Sequence, residues 1–301
     1  MKIAAIDIGT NAIKAKIFET SPTSIDFIDG IRTPVRLGTE VYKFGFLSEE
    51  TLELLVATIK DYQKYFEKNN VNRFEIVATS AFRDTSNSED ARRIVENEIE
   101  HPIRIISGLE EANLIRFHPK AENDETKVFV DVGGGSTEFF FIENNKIKIK
   151  SFQLGAVRLM YNDQLSDEWQ KLSAWLTKHR LPNKLIGLGG NIRSFLNIHK
   201  TKSIQRNEFM NYCKLLMNIS VEDKINKFNI SHDRADVIDN AMNIFKFIVE
   251  KSNIEKIKAT KWGVSDSIAV KLFHELYSRE IKIKNKISSA IISTLINSDF
   301  L

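Results

Sequence analysis

Residues 130–138 read Val-Asp-Val-Gly-Gly-Gly-Ser-Thr-Glu, an apolar run that delivers an aspartate to three glycines and two hydroxyl residues. Residues 6–10 read Ile-Asp-Ile-Gly-Thr and repeat that outline near the N-terminus. In both places a short apolar run ends at a glycine turn, and a second apolar run comes after it, which is typical of two strands joined by a tight turn. The repetition predicts two lobes built on one plan, each with a loop that can bind phosphate.

The rest of the chain alternates short apolar runs with stretches of helical periodicity. Strands are predicted at 3–8, 13–19, 73–79, 103–106, 127–132, 137–142, 146–152, 184–188 and 256–260. Helices are predicted at 49–67, 89–97, 108–117, 166–178, 191–199, 207–217, 234–251, 265–278 and 285–297. Ser48 or Thr51 is expected to cap the first helix, and 79–87 is expected to be a loop. This alternation predicts an α/β fold with mixed sheets.

A polar stretch at 119–126 has no long apolar run and is interpreted as the hinge between two domains, 1–120 and 121–301. The chain has 301 residues, which suits two lobes of about 100–150 residues each. In the second domain, the last helix is expected to pack back on the first lobe.

The balance of charges excludes some classes of function. The formal net charge is only +3, whereas dedicated nucleic-acid binders usually carry a strong basic excess. No apolar run approaches the ~18 residues of a membrane span, and no signal-peptide pattern opens the chain. We therefore expect no nucleic-acid partner, no membrane and a cytoplasmic location. The single cysteine, Cys213, lies in an apolar helical run and is interpreted as a core thiol.

The sharpest candidate site is the loop after Asp131. Its glycines allow backbone N–H groups to crowd around an anion where a Cβ would obstruct them. Asp131 is placed to bind Mg²⁺ directly or through water, and Glu138 can hold a water molecule or a metal ligand across the loop. The phosphate-binding residues predicted here are Gly133, Gly134, Gly135, Ser136 and Thr137. The alternative is a structural glycine hairpin with surface polar groups.

The first loop is a weaker candidate of the same kind. Asp7 stands in an apolar strand, and a buried carboxylate needs a partner, which a metal ion or its bound water would supply. Gly9, Thr10 and Asn11 complete the loop as candidate phosphate ligands. Alternatively, Asp7 is an N-cap or turn residue.

Three further segments carry polar groups at strand or helix ends. Arg83 offers a planar fork for two phosphate oxygens, or it is a surface residue paired with Asp84. In the first turn of a helix at 108–117, either Glu110 or Glu111 orients or deprotonates the attacking water, or both only complement the helix dipole. The loop Gly189, Gly190 and Asn191 binds anions at a helix start, or its glycines only allow close packing.

Taken together, these segments resemble the exopolyphosphatase/guanosine pentaphosphate phosphohydrolase (Ppx/GppA) family in its short, two-domain form. The resemblance covers nearly the whole chain and runs through the segments 7–11, 36–38, 79–83, 107–112, 131–138, 151–159, 187–191 and 263–266. It implies the two-lobed, actin-like (ribonuclease H-like) ATPase fold shared with sugar kinases and heat-shock chaperones. In that fold, helices flank mixed sheets and the active site lies in the cleft between the lobes.

The resemblance also implies an activity, hydrolysis of the terminal phosphoanhydride of inorganic polyphosphate with Mg²⁺ or Mn²⁺. By the family pattern, Glu111 would be the general base, Asp131 and Glu138 would support the metal and the water, and Arg83 would hold the terminal phosphate with the backbone of 133–137. One departure is Thr10-Asn11-Ala12, where the family usually has Ser-Asn-Ser. Ala12 cannot donate a hydrogen bond, so the role of the first loop is less certain.

Several alternatives stay open at the level of the sequence. The substrate can be guanosine pentaphosphate (pppGpp) instead of polyphosphate. The chain can be a kinase of the same superfold, although it lacks an obvious sugar-binding signature. It can also be a non-enzymatic sensor that binds polyphosphate or an alarmone. A homodimer is expected from the fold relatives.

Overall fold

The computed structural model describes residues 1–121, 124–162 and 165–283 of the chain. The described residues form two compact units. Unit 1 comprises Met1–Ser107 with residues 114–121 and 263–283, and unit 2 comprises residues 108–113, 124–162 and 165–262. Each unit therefore takes residues from both predicted domains, 1–120 and 121–301, whose boundaries remain a prediction. The helix predicted at 285–297 lies outside the described residues.

The described part of unit 1 is built on a mixed sheet with strand order β3-β2-β1-β4-β5. The strands are β1 (Lys2–Ile8), β2 (Ile13–Ser21), β3 (Ser24–Thr33), β4 (Arg73–Ala78) and β5 (Ile103–Ile105). The helices between them are α1 (Leu37–Phe44), α2 (Glu49–Lys68), α3 (Ser80–Asp84) and α4 (Ser88–Ile99). Strand β1 runs antiparallel to β2 and parallel to β4, and it is buried from Ile3 to Ile8 because it lies at the centre of the sheet.

Helix α2 shows how local sequence sets an element. Ser48 caps it by accepting a hydrogen bond from the Thr51 backbone N–H at 3.2 Å, so the choice between the two predicted caps falls on Ser48. Its apolar residues recur at helical spacing, and Leu55 and Ile59 are completely buried in the core of unit 1.

The sheet in the described part of unit 2 has the strand order β10-β11-β9-β6-β7-β8. The strands are β6 (Lys127–Val132), β7 (Thr137–Glu143), β8 (Lys146–Phe152), β9 (Lys184–Leu188), β10 (Ser203–Gln205) and β11 (Lys256–Ala259). The helices are α5 (Gly108–Leu114), α6 (Arg158–Tyr161), α7 (Ser166–Lys178), α8 (Gly190–Ile198), α9 (Arg206–Met217), α10 (Val221–Asn226), α11 (His232–Ala235) and α12 (Ile238–Glu250).

The two sheets follow one plan. Reading β8-β7-β6-β9-β11 in unit 2 reproduces the order β3-β2-β1-β4-β5 of unit 1, with the short β10 added at the far edge. The first hairpin of each unit closes with the same hydrogen bond, from Gly9 N to the Ala12 carbonyl at 3.2 Å and from Gly133 N to the Ser136 carbonyl at 3.0 Å. The predicted α/β fold class is confirmed, because each described unit has a mixed sheet flanked by helices.

The last described helix, α13 (Val264–Ile283), belongs to unit 1 although it comes after unit 2 in the chain. It packs against β1 and β2, and Lys16 on β2 contacts both carboxylate oxygens of Asp266 at 2.8 and 2.7 Å. Among residues 1–121, 124–162 and 165–283, no helix is both long enough and apolar enough to cross a membrane.

Some local predictions were wrong. The segment 79–87, predicted as a loop, contains α3, because its first residues form a helical turn soon after β4 ends. The helix predicted at 108–117 ends at Leu114 and tightens into a 3₁₀ turn at Ile115–Phe117. Strand β3 was missed because it is an edge strand whose middle is exposed, so it lacks a continuous apolar run.

Candidate functional site

Two carboxylates of unit 2 face one another across a hairpin. Asp131 on β6 is the direct partner of Glu138 on β7 in the antiparallel ladder. Directly opposite residues have their side chains on the same face, with Cβ atoms ~5 Å apart. Glu138 is completely buried and Asp131 is partly exposed. The register therefore brings together two of the three predicted metal ligands.

Ser151 extends this pair to a third strand. It lies opposite Glu138 in the β7–β8 ladder, and its hydroxyl donates a hydrogen bond to Glu138 Oε1 at 2.8 Å. A buried carboxylate is costly unless it is hydrogen-bonded, so Ser151 stabilises Glu138 in this orientation. Sequence reasoning assigned no role to Ser151. The resemblance included this residue in the segment 151–159, and only the strand register brings it to Glu138.

The glycine loop is held from behind by the segment after β8. Ala156 N donates to the Gly133 carbonyl at 3.0 Å, and Val157 N donates to the Gly134 carbonyl at 2.8 Å. Gly155 touches the loop so closely that a Cβ there would lie 2.4 Å from the Gly134 oxygen and from the backbone of Gly135. The loop is therefore pre-formed, which favours anion binding by backbone N–H groups.

The two hydroxyl residues of the loop are buried. Thr137 is completely buried, and its hydroxyl donates to the Leu154 carbonyl at 2.6 Å. That hydroxyl proton is therefore already engaged, and phosphate binding by Thr137 stays a prediction. Ser136 is 1% exposed, and its carbonyl accepts the hydrogen bond that closes the turn.

Helix α5 brings the predicted general base to the same unit. Gly108 opens the helix, and a Cβ there would lie 2.2 Å from Ser151 Oγ and 3.7 Å from Glu138 Oε1. The first turn of α5 consequently lies on the Glu138–Ser151 pair. Glu111 belongs to that first turn, and its Oε2 atom is inaccessible to solvent. Both Glu110 and Glu111 are partly buried. The general-base role of Glu111 stays a prediction.

The third predicted loop lies beside Asp131. Gly189 has a φ of 84°, and a Cβ there would lie 3.0 Å from Asp131 Oδ1. The next residue, Gly190, starts α8 against the guanidinium of Arg234, because a Cβ at Gly190 would lie 2.3 Å from Arg234 Nη2. Arg234 also donates to Ser194 Oγ at 3.0 Å. Asn191 is partly buried in the first turn of α8.

Arg234 was missed by sequence reasoning. It lies on the short helix α11, and no local pattern distinguishes it from other arginines of the chain. Its contacts with Gly190 and Ser194 join two segments about forty residues apart, which is the kind of proximity that only the tertiary structure sets.

The corresponding hairpin of unit 1 carries a different pair. Asp7 is 3% exposed and lies opposite Lys14, whose Nζ is 3.2 Å from Asp7 Oδ2. Asp7 Oδ1 is inaccessible to solvent and has no hydrogen-bond partner among the described residues. The charge partner of Asp7 is thus a lysine of its own hairpin, and its role as a metal ligand stays a prediction.

The loop after Asp7 is held in place by neighbouring segments of unit 1. Thr10 Oγ1 lies 2.8 Å from the hydroxyl oxygen of Ser80, at the start of α3. Gly38 N donates to the Thr10 carbonyl at 2.9 Å, and Arg36 N donates to the Asn11 carbonyl at 3.1 Å. These contacts explain why residues 36–38 and 79–80 accompany the loop in the sequence pattern.

Arg83 lies on α3, with its side chain mostly buried. Its Nη1 donates to the Ile106 carbonyl at 2.6 Å, and its Nε lies 3.4 Å from Asp84 Oδ1. The pairing with Asp84 that the spacing allowed is therefore present. Phosphate binding by Arg83 stays a prediction.

The residues of unit 2 fit a hydrated Mg²⁺ ion. Within the described part of the chain, no group of three or more His, Cys, Asp or Glu side chains is arranged to hold a metal. Magnesium commonly uses only one or two carboxylates and completes its shell with waters and substrate phosphates. Asp131 and Glu138 are a pair of carboxylates of that kind. They lie next to the glycine loop, whose backbone N–H groups can bind phosphate.

Cys213 takes no part in this arrangement. It is completely buried on α9, and burial raises the pKa of its thiol to about 12. Because the thiolate is the nucleophilic form, the interpretation of Cys213 as a core residue agrees with its surroundings.

The chain is similar in sequence and structure to known proteins. The sequence pattern of the Ppx/GppA phosphatase family matches residues 16–276. A bifunctional 3-dehydroquinate synthase/phosphatase of Fusobacterium nucleatum subsp. nucleatum is 31% identical over 234 residues, which are 68% of this chain and 35% of that protein. The chain thus spans about a third of the length of this curated relative.

Solved structures share the fold. The crystal structure of the Aquifex aeolicus member of the Ppx/GppA family is 24% identical, with a TM-score of 0.73 over 93% of this chain and 98% of its own. An exopolyphosphatase from Cytophaga hutchinsonii is 21% identical, with a TM-score of 0.81 over 91% of this chain and 98% of its own. At these identities the likeness establishes the fold, and function is argued from the site. The match over residues 16–276 shows that the chain belongs to the Ppx/GppA phosphatase family.

Proposed function

We propose that the protein is an exopolyphosphatase, which hydrolyses the terminal phosphoanhydride of inorganic polyphosphate and releases orthophosphate with Mg²⁺. The observation that carries the proposal is the pairing of Asp131 with the buried Glu138 beside a triple-glycine loop, with the first turn of α5 lying on that pair. Membership of the Ppx/GppA phosphatase family and the fold of the C. hutchinsonii exopolyphosphatase support phosphatase chemistry.

Each residue has a defined task in this proposal. Transfer of a phosphoryl group to water requires positioning and charge neutralisation more than covalent help. Asp131 and Glu138 would hold the Mg²⁺ ion, which when bound neutralises charge on the phosphate oxygens. The backbone N–H groups of 133–137 would bind the terminal phosphate. Phosphate binding by Arg83 and by the loops 9–11 and 189–191 stays a prediction from the sequence.

Glu111 would act on the water. Its carboxylate accepts a proton from the water as the water oxygen bonds to the terminal phosphorus. The phosphoanhydride P–O bond breaks, and the bridging oxygen leaves with the electron pair on the shortened chain. The products are orthophosphate and a polyphosphate with one phosphate fewer. Ser151 keeps the neighbouring Glu138 in place through its hydrogen bond.

The test is phosphate release by the purified protein with Mg²⁺. Short polyphosphate, long polyphosphate and pppGpp are compared at equal terminal-phosphate concentration. Glu111→Gln is expected to lower turnover by ~10²-fold or more while the fold is retained, the usual scale for a lost general base. Glu110→Gln is the matched control, because it removes an adjacent carboxylate of the same helix turn.

Each outcome decides between the alternatives. Wild-type turnover in Glu111→Gln would contradict the assignment of the base, and loss in Glu110→Gln instead would transfer the role to Glu110. A clear preference for pppGpp would replace the substrate. Tight binding of polyphosphate or pppGpp with no release would support the sensor alternative. The homodimer and the cytoplasmic location stay predictions from the sequence.

A further inference from the structure

The two hairpins that carry the aspartates are equivalent in position but differ in chemistry. Asp7 and Asp131 both lie near the end of the first strand of their unit, and the residue opposite each stands seven positions later, at 14 and 138. The turn between them closes with the same glycine hydrogen bond in both units. Lys14 therefore occupies in unit 1 the position that Glu138 occupies in unit 2.

We propose that Lys14 supplies to Asp7 the positive charge that a metal ion supplies to Asp131 and Glu138, so that the hairpin of unit 1 binds no metal. This inference rests on the proposed function, which places the metal at Asp131 and Glu138. It replaces the sequence-based expectation that Asp7 is a metal ligand.

The surroundings of Asp7 support this assignment. The residue is 3% exposed, so its carboxylate requires a nearby compensating charge. The Lys14 ammonium lies 3.2 Å from Asp7 Oδ2 and provides that charge within the hairpin. A divalent cation at Asp7 would find one carboxylate and a like charge, whereas the same position in unit 2 offers two carboxylates.

A second lysine of β2, Lys16, also compensates the charge of a buried aspartate. Lys16 lies two residues beyond Lys14, on the same face of the strand, and its Nζ contacts both oxygens of Asp266, which is 7% exposed. Strand β2 thus uses two lysines at alternate positions to neutralise two buried aspartates of unit 1. Charge compensation by lysine is therefore a repeated feature of this strand.

The experiment counts bound Mn²⁺ ions in the absence of any phosphate, by electron paramagnetic resonance of free Mn²⁺ during titration of the full chain. Lys14→Glu restores the carboxylate pair found in unit 2 and is expected to add one Mn²⁺ per chain to the wild-type count. Lys14→Met is the matched control, which removes the ammonium without adding an oxygen ligand and is expected to add no Mn²⁺ ion. Adding Asp7→Asn to Lys14→Glu is expected to remove the gain.

Two results would overturn the proposal. One is a folded Lys14→Glu variant, verified by circular dichroism, that binds no additional Mn²⁺. The other is an Asp7→Asn variant that binds one Mn²⁺ ion fewer than the wild type. This variant also tests the proposal if Lys14→Glu does not fold. Different results would contradict the proposed function. They are the absence of phosphate release, or an Asp131→Asn variant that binds as many Mn²⁺ ions as the wild type.

Discussion

Glu138 is held by neighbours that are small. Its Oε1 accepts the Ser151 hydroxyl, and the absent side chain of Gly108 leaves room for the first turn of α5 to lie on that contact. A buried carboxylate in such a position has few orientations available, which is the condition for a precise metal or water ligand. Ser151 and Gly108 are therefore important for the position of Glu138, although neither residue has a side chain that would act on the substrate.

Ser151→Ala is expected to raise the Mg²⁺ concentration for half-maximal phosphate release by ~10-fold or more, since groups that orient metal ligands commonly contribute that much to metal affinity. The measurement is the rate of phosphate release as a function of Mg²⁺ concentration. Ser252→Ala is the control, because the Ser252 hydroxyl donates to the Ile248 carbonyl of its own helix region. An unchanged Mg²⁺ dependence in Ser151→Ala would remove Ser151 from the site.

Gly108→Ala is expected to lower kcat by ~10-fold or more without unfolding the protein. The added Cβ would lie 2.2 Å from Ser151 Oγ, so the first turn of α5 must shift and carry Glu111 with it. Steady-state kinetics measure kcat, and circular dichroism verifies the fold. Gly263→Ala serves as the control, because the nearest heavy atom to a Cβ there is Asp266 Oδ2 at 3.9 Å. A wild-type kcat in Gly108→Ala would contradict the close packing of α5 on Ser151.

At the scale of single elements, the capping residue of α2 also bonds to the neighbouring helix α1. Ser48 caps α2, and its backbone N–H and hydroxyl donate to the two carboxylate oxygens of Glu40 on α1 at 2.9 and 2.8 Å. Burial raises the pKa of Glu40, but hydrogen bonds from Ser48 and Thr51 outweigh it and leave that pKa below its ordinary value. One serine thus connects the first turn of α1 to the start of α2.

Ser48→Ala is expected to lower the free energy of unfolding by ~0.5–2 kcal/mol, the range for a lost N-cap. The loss should be largest at neutral pH. The pKa of Glu40 is lowered in the folded state, so its contribution is present above the unfolded pKa and disappears as pH falls through the folded pKa. Urea denaturation at pH 7 and at pH 4 measures the difference. A loss that grows towards acid pH would contradict this account.

Helix α9 offers a direct test of core packing through Cys213. Because the pKa of this buried thiol is about 12, thiol reagents are expected to react with it at pH 8 only when α9 opens or the protein unfolds. The labelling rate is measured with a chromogenic disulfide in the native state and in urea. Rapid, stoichiometric labelling of the native protein would show that α9 is more open than the structure indicates.

At the scale of the whole molecule, the chain does not complete one unit before starting the other. Residues 108–113 belong to unit 2 although unit 1 surrounds them in sequence, and α13 joins unit 1 after unit 2 is complete. The contact of α13 with β1 and β2 is anchored by Lys16 and Asp266. The Asp266 carboxylate also accepts the Gly263 N–H at 2.8 Å, which positions the start of the helix.

Asp266→Ala is expected to lower the free energy of unfolding by ~2 kcal/mol. Breaking a fully buried ion pair costs more, but the Lys16 side chain is 24% exposed and water screens part of the effect. The pair is isolated by a double-mutant cycle with Lys16→Met, combined with thermal or urea unfolding. Additive effects of the two substitutions would show that the pair does not hold α13 to β2.

Local chemistry determined much of this protein. The helix predicted at 166–178 and the strand predicted at 184–188 have those bounds in the structure, because periodicity and turn residues act over a few positions. The repeated Asp–Gly pattern predicted two equivalent hairpins for the same reason. The sequence by itself therefore determined the local conformation around each aspartate and its glycine turn.

Only the tertiary structure decided which of these groups meet. The register of β6, β7 and β8 placed Asp131, Glu138 and Ser151 in one row, and the pairing of β1 with β2 gave Asp7 its lysine. The packing of α5 on Ser151 and of α13 on β2 joined segments far apart in the chain. Such contacts depend on the summed packing of two complete sheets, which no short stretch of sequence contains.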